Sequence, residues 1–166
     1  MAKFFFLGIK GSGMAALACI LKSLGHDVSG SDIDKHLFTE DQLHELKIPV
    51  FSLGTLPSEA CTVIIGNAFK DDFEDVQKIK ANKNFIYYRY HEYLGNLMNE
   101  KISIGISGSH GKTTSTKMMT SIMQAYQPTG YLIGDGHGHL SQQDKYFIVE
   151  ADEYRRFFIS YHPKYA

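Results

Sequence analysis

The chain predicts an α/β fold built on a doubly wound parallel sheet, and three observations carry that prediction. From Lys3 to Tyr88, short apolar runs bounded by turn residues alternate with segments of helical spacing. Two apolar runs, one early and one near residue 105, each lead into a glycine-rich turn and then a helix, the arrangement with which parallel sheets bind phosphates. With 43% hydrophobic and 21% charged residues, the chain has enough apolar surface for a core, which excludes a disordered, collagen-like or long coiled-coil protein.

Seventeen Lys and Arg balance eighteen Asp and Glu, for a net charge of -1. No basic surplus draws the chain to nucleic acid or to anionic lipid, so any anionic ligand must be held by local groups. Cys19 and Cys61 stand far apart without a C-x-x-C spacing, which indicates neither a disulfide framework nor a zinc site and fits a reducing cytoplasm. Lys3, the run Phe4-Phe5-Phe6-Leu7 and the later Ala18-Cys19 have the outline of an export signal. Gly8, Lys10, Gly11 and Gly13 interrupt the apolar core of roughly 7 to 15 residues that such a signal needs. No run approaches the roughly 18 apolar residues of a membrane span, so the segment reads as folded structure.

Lys3 to Ile9 reads as a strand buried on both faces, closed by glycines. Met14 to Leu24 reads as a helix, because Met14, Leu17, Ala18, Leu21 and Leu24 recur at helical spacing and Gly25 stands at the stop. His26 to Ser31 is a second strand ending at Asp32. Thr39 to Leu46 is a short helix that Thr39 can cap, and Pro49-Val50-Phe51 a third strand. Thr62 to Ile65, a helix from Asp72 to Ala81 and the strand Phe85 to Tyr88 complete the alternation. After the polar stretch Asn96 to Lys101 the pattern starts again, with a buried strand from Ile102 to Ile106, a glycine turn, a helix from Lys112 to Gln124, and strands at Tyr131 to Ile133 and Lys145 to Glu150. This suggests a first domain over residues 1–98, expected to fold alone, and a second that begins at 99. Residues 99–166 are too few for a complete α/β domain of usual size, so the second is expected to be truncated and the sequence to be part of a longer protein.

Gly11-Ser12-Gly13-Met14-Ala15-Ala16 reads G-x-G-x-x-A between the first strand and its helix, a Rossmann-like turn in which glycines admit backbone amides to a pyrophosphate at a helix N-terminus. Asp32, at the end of the second strand, is placed for a ribose or base contact. NAD, FAD and a UDP-sugar all suit this geometry. Asn67, after the fourth strand, lies at the same carboxyl edge and is a candidate polar contact. Arg89, after the fifth, could meet a phosphate or a carboxylate, or form a surface salt bridge.

In the second turn, Gly108-Ser109-His110-Gly111-Lys112-Thr113-Thr114, backbone amides would cradle ATP phosphates, Lys112 would reach the β and γ phosphates and Thr113 would ligate Mg²⁺. The usual spacing asks for glycine where Ile106 stands; glycines fall instead at 105, 108 and 111. Downstream, a strand runs into Glu150-Ala151-Asp152-Glu153, and at least one of these carboxylates is a candidate metal ligand, since Mg²⁺ takes hard oxygens. His137 and His139 read as part of a polar glycine loop, since two neighbours do not complete a metal site. Met118, Met119 and Met123 read as core packing.

Gly8-Ile-Lys-Gly-Ser-Gly-Met14, Gly30-Ser-Asp32, Gly108-Ser-His-Gly-Lys-Thr-Thr114 and Glu150-Ala-Asp-Glu-Tyr-Arg-Arg156, in this order, resemble the Mur ligases of peptidoglycan synthesis over essentially the whole chain. The G-x-H-G-K-T-T form of the second turn is the one those ligases use. The resemblance implies a UDP-sugar domain followed by the opening part of a P-loop ATPase domain, in a cytoplasmic enzyme without membrane insertion. It implies ATP-dependent ligation of L-alanine to UDP-N-acetylmuramate through an acyl phosphate, with Mg²⁺. By that pattern Gly11, Ser12, Gly13 and Met14 hold the UDP diphosphate and Ser31 and Asp32 lie near the uridine, while Asn67 and Arg89 are candidate sugar-nucleotide contacts by their place at the strand ends alone. Lys112 binds ATP phosphates, Thr113 and Glu153 bind Mg²⁺ with Glu153 preferred over Glu150, and His110 lies between the substrate carboxyl and the γ-phosphate. The family's later Asp-His motif and its C-terminal amino-acid domain are absent from this sequence, so the chain alone is expected to be inactive. Three alternatives are a recycling ligase that attaches a ready-made peptide, a non-catalytic UDP-nucleotide-binding module, and an NAD-dependent dehydrogenase, the last of which leaves Lys112 and Glu153 unexplained.

Overall fold

Residues 1–151 and 163–166 are described in the computed structural model of the chain. Strand β1 (Lys3–Leu7) is buried from Phe4 onward, as a strand covered on both faces must be. It turns at Gly8, whose φ of +88° suits a residue without a side chain, and enters α1 (Ser12–Ser23). That helix is buried without interruption from Met14 to Leu21. Each large apolar side chain so covered contributes about 1.5–3 kcal/mol.

The chain continues through β2 (Asp27–Asp32), α2 (Glu40–Glu45), β3 (Val50–Ser52), β4 (Cys61–Ile65), α3 (Glu74–Ala81) and β5 (Phe85–Arg89). These strands form one parallel sheet in the order β3-β2-β1-β4-β5. The order reverses at β1, so the carboxyl ends of β1 and β4 open a crevice where doubly wound folds bind ligands. Thr39 stands at the start of α2 but does not cap it; its hydroxyl donates to the Lys10 carbonyl at 2.6 Å instead.

A further helix, α4 (Tyr90–Asn99), which the sequence pattern does not predict, follows β5 directly and runs into the polar stretch that begins at Asn96. The Glu92 carboxylate accepts the Arg89 amide at 2.8 Å across its first turn, and Leu94, Leu97 and Met98 are buried. Then come β6 (Ile102–Ile106), α5 (Lys112–Gln124), β7 (Thr129–Leu132), β8 (Gly138–His139) and β9 (Tyr146–Glu150). The second sheet has the order β6-β9-β7-β8, parallel except for the β7–β8 hairpin, and Tyr165 forms an isolated bridge to Ile104 on the free side of β6. His139 lies on that hairpin and His137 in its turn.

The two sheets share a core. Leu132, Leu140, Phe147 and Val149 cluster with α1 residues Leu17 and Ile20, and the Ser23 hydroxyl bonds both the carbonyl and the amide of Leu140. On α5 the buried residues are Thr116 and Thr120, whereas Met118 is 61% exposed. Met119 is exposed and Met123 half-buried, so the expected packing role of Met118 and Met119 does not hold among the described residues.

Candidate functional site

Among the five described helices, α1 and α5 have no acid in the first turn, while α2, α3 and α4 carry Glu40 and Asp41, Glu74 and Asp75, and Glu92. An acid there neutralises the positive end of the helix, so the two helices that follow glycine turns keep theirs available for an anion. Both point their N-termini at one region.

A cavity of about 540 Å³ joins them. Gly8, Gly11, Ser12, Gly13 and Met14 line it from the first turn, and Gly66, Asn67, Ala68 and Phe69 from the carboxyl end of β4. Tyr90 closes it from α4, and Lys112, Leu132, Gly134 and Glu150 from the second sheet. The cavity thus occupies the crevice at the strand-order reversal and extends to the phosphate-type turn. The approach at Gly13 is close: a Cβ there would lie 2.6 Å from the Tyr90 hydroxyl.

A second hollow of about 390 Å³ is lined by Ser109, His110, Gly111, Lys112, Thr113, Thr114 and Glu150. Gly111 begins α5 with φ +76°, a left-handed conformation that brings successive backbone amides round to one side. The Lys112 ammonium donates to the Gly108 carbonyl at 2.7 Å, folding the side chain back over the turn. The register Ile106↔Glu150 sets Glu150 beside the turn, where its carboxylate accepts from the Thr113 hydroxyl at 3.0 Å and from the Gly134 amide at 2.7 Å. Hydroxyl and carboxylate oxygens so disposed are hard donors of the kind Mg²⁺ takes. Glu153 and Asp152 lie outside the described residues.

The sequence candidates divide accordingly. Gly11, Ser12, Gly13, Met14, Asn67 and Lys112 line one cavity, with Ser109, His110, Gly111, Thr113 and Thr114 around the adjoining hollow; Gly108 lines neither, and its carbonyl accepts the Lys112 ammonium. Ser31 and Asp32 are buried beneath the first turn, where Asp32 accepts the Lys10 amide at 2.7 Å. Arg89 does not line the cavity; it bonds the Phe69 carbonyl and pairs with Asp71, whose carboxyl is held below the usual range by Lys80 and Arg89. It therefore braces the loop that carries Asn67. The His91 ring lies 3.0 Å from Asn67 Oδ1; since that oxygen only accepts, Nδ1 donates, leaving the Asn67 amide hydrogens as donors to a ligand. Tyr90, Phe69, Leu132 and Gly134 were missed by the sequence reading. The signal for Tyr90 was its place just after the fifth strand, at the carboxyl edge.

Comparison with known proteins gives this geometry a context. Residues 3–102 match the model described as "Mur ligase family, catalytic domain". Over 98% of its length the chain is 46% identical to UDP-N-acetylmuramate--L-alanine ligase of Lactiplantibacillus plantarum, of which it spans 37%. Its fold matches the crystal structure of UDP-N-acetylmuramate:L-alanyl-gamma-D-glutamyl-meso-diaminopimelate ligase from Neisseria meningitides with a TM-score of 0.83 and 28% identity, covering 100% of this chain and 59% of that one. UDP-N-acetylmuramate-alanine ligase from Thermotoga maritima matches with a TM-score of 0.83 and 26% identity, covering 98% of this chain and 40% of that one. The doubly wound sheet followed by a phosphate-loop sheet is the expected architecture. On the family match, the relatives and the shared fold, the chain belongs to the Mur ligase family.

Proposed function

We propose that the chain is the sugar-nucleotide-binding and ATP-phosphate-binding part of a ligase that joins L-alanine to UDP-N-acetylmuramate in peptidoglycan precursor synthesis. The observation that carries this reading is one cavity lined by the first glycine turn and by Lys112 of the second. A ligand whose diphosphate rests on Gly11 to Met14 extends from there toward Lys112, where a γ-phosphate would be presented. The division proposed is residues 1–98 for the UDP-sugar and 99–166 for the beginning of the ATP-binding domain, in a cytoplasmic enzyme. No described helix is long and apolar enough to cross a membrane.

In the reaction, a carboxylate oxygen of the muramate attacks the γ-phosphorus of ATP, the bond to the β–γ bridging oxygen breaks, and ADP leaves. The L-alanine amine then attacks the acyl carbon, gives up a proton, and expels phosphate to leave an amide. Most of the catalysis is positioning and charge stabilisation. Gly11, Ser12, Gly13 and Met14 hold the diphosphate through main-chain amides at the α1 N-terminus. Ser31, Asp32, Asn67 and Arg89 are assigned to the sugar-nucleotide side, as contacts or as supports of the loops that make them. The amides of Gly108 to Thr114 cradle the ATP phosphates, and Lys112 swings from the Gly108 carbonyl to the transferring oxygens. His110, on the exposed turn, faces the space between the carboxylate and the γ-phosphate. Thr113, with Glu150 beside it, and Glu153 would hold Mg²⁺, which when bound neutralises charge on the phosphate oxygens.

A second reading is the ligase that attaches a ready-made peptide. The fold match to the Neisseria enzyme equals that to the Thermotoga one, so fold does not separate them; the 46% identity to the L-alanine enzyme favours the first. Calorimetric titration of the chain with UDP-N-acetylmuramate and with NAD tests the ligand class, and tighter binding of NAD overturns it. In the full-length parent, Lys112→Ala should lower L-alanine-dependent phosphate release at least about a hundredfold while leaving UDP-N-acetylmuramate affinity within about threefold, since the lysine serves the second turn. Release stimulated by a tripeptide and not by L-alanine would select the second reading.

A further inference from the structure

Lys10 is a cation inside a turn that serves an anion, yet it is turned away from the cavity and only 5% exposed. Its ammonium donates to the carbonyls of Ile33 at 3.0 Å and Lys35 at 3.1 Å, and lies 3.1 Å from the Glu40 carboxylate. Its main chain is held as firmly. The Lys10 amide donates to Asp32 Oδ2 at 2.7 Å, and the Lys10 carbonyl accepts the Thr39 hydroxyl at 2.6 Å. The other oxygen of Asp32 accepts the Ile33 amide at 2.8 Å, and Asp32 is 8% exposed. In dinucleotide sites an acid at the end of the second strand reaches out to the ribose hydroxyls. Here each oxygen of that acid already accepts a main-chain amide, the buried one of Lys10 and the half-buried one of Ile33.

We propose that Asp32 and Lys10 are positioning residues of the sugar-nucleotide site, fixing the turn from Gly8 to Gly13 against the segment after β2, and that Asp32 makes no contact with the nucleoside. A buried carboxylate that takes one amide from the turn and one from the following segment sets the two at a fixed separation. The Lys10 ammonium ties the same pair from the far side. The role rests on the sugar-nucleotide reading above, and the test has one arm that needs no ligand.

In the 166-residue chain without ligand, Asp32→Asn and Lys10→Met should each speed amide hydrogen exchange of Gly8 to Gly13 at least about tenfold while β4 and β9 stay protected. Calorimetry with UDP and with 2′-deoxy-UDP should then show both variants weakened about tenfold or more, by the same factor for the two ligands. Loss of a preference for UDP over 2′-deoxy-UDP in Asp32→Asn would mean that the carboxylate contacts the ribose, and would overturn the proposal. Unchanged exchange in the turn would overturn it too. Should Asp32→Asn fail to fold, Lys10→Met and the milder Glu40→Gln carry both readouts. If the wild type binds no UDP, the sugar-nucleotide reading fails while the exchange arm still decides the positioning role.

Discussion

At Gly13 a side chain would meet the Tyr90 hydroxyl, already in contact distance, and the diphosphate proposed to rest on the α1 N-terminus. Gly13→Val is therefore expected to weaken UDP-N-acetylmuramate binding at least about a hundredfold in calorimetry; an unchanged dissociation constant would remove this turn from the site. His91, which orients Asn67, reports on the same region through pH. Burial lowers its pKa below the ordinary value, Glu92 opposes that shift, and Arg89 adds to it. The folded state thus prefers the neutral ring, and the unfolded chain binds the proton more readily. That contribution to stability is fully present above the unfolded pKa of about 6.5 and is lost as pH falls through the folded value. Melting temperature should fall from pH 7.5 to 5.5, and His91→Asn should flatten that slope; an identical slope in the variant would show that His91 is not coupled to folding.

The helices show most clearly what local pattern could and could not say. Strand β1, its turn and α1 were legible because every cue agreed: an apolar run, glycines, then buried residues at helical spacing. Helix α4 is hidden, since Arg89 passes from strand to helix with no connecting residues and Asn96 to Lys101 reads as a polar stretch; its signal is Leu94, Leu97 and Met98 at spacings of three and four. The β7–β8 hairpin is too short for any periodicity and is fixed by packing on α1. Helix α5 was assigned correctly in extent and wrongly in orientation. Its methionines recur as core residues do, but Thr116 and Thr120 face the sheet and leave Met118, Ile122 and Tyr126 exposed. A polar change on that face should therefore cost this chain little. Ile122→Lys is expected to alter stability by less than about 0.5 kcal/mol in urea unfolding. A loss of more than about 2 kcal/mol would show that the face is covered.

Across the whole molecule, two sheets that each carry a nucleotide-type turn are joined by one core. Helix α1 opens at the first turn and packs against β8 of the second sheet at Ala16 and Ile20. Gly138 comes so near the Ala16 carbonyl that a Cβ could not be accommodated without moving backbone. The Thr39 methyl would likewise meet a Cβ at Gly136 at 2.9 Å. The hairpin turn therefore presses on both α1 and the residue that holds the Lys10 carbonyl, while Gly134, two residues earlier, bonds Glu150 beside Thr113. Such a join fixes the distance between the two turns, as the phosphoryl transfer proposed for them would require. It also means that residues 1–98, although they contain a complete parallel sheet, leave Ala16 and Ile20 exposed when separated from Leu140 and Phe147. Residues 1–98 alone are expected to fold but to melt at least about 5 °C below the 166-residue chain, the effect of roughly 1 kcal/mol in a domain of this size. The loss should be localised, with the amides of α1 exchanging faster than in the whole chain and those of β4 and β5 unchanged. Equal melting temperatures together with unchanged α1 protection would show that the shared core contributes nothing and that the two sheets are independent units.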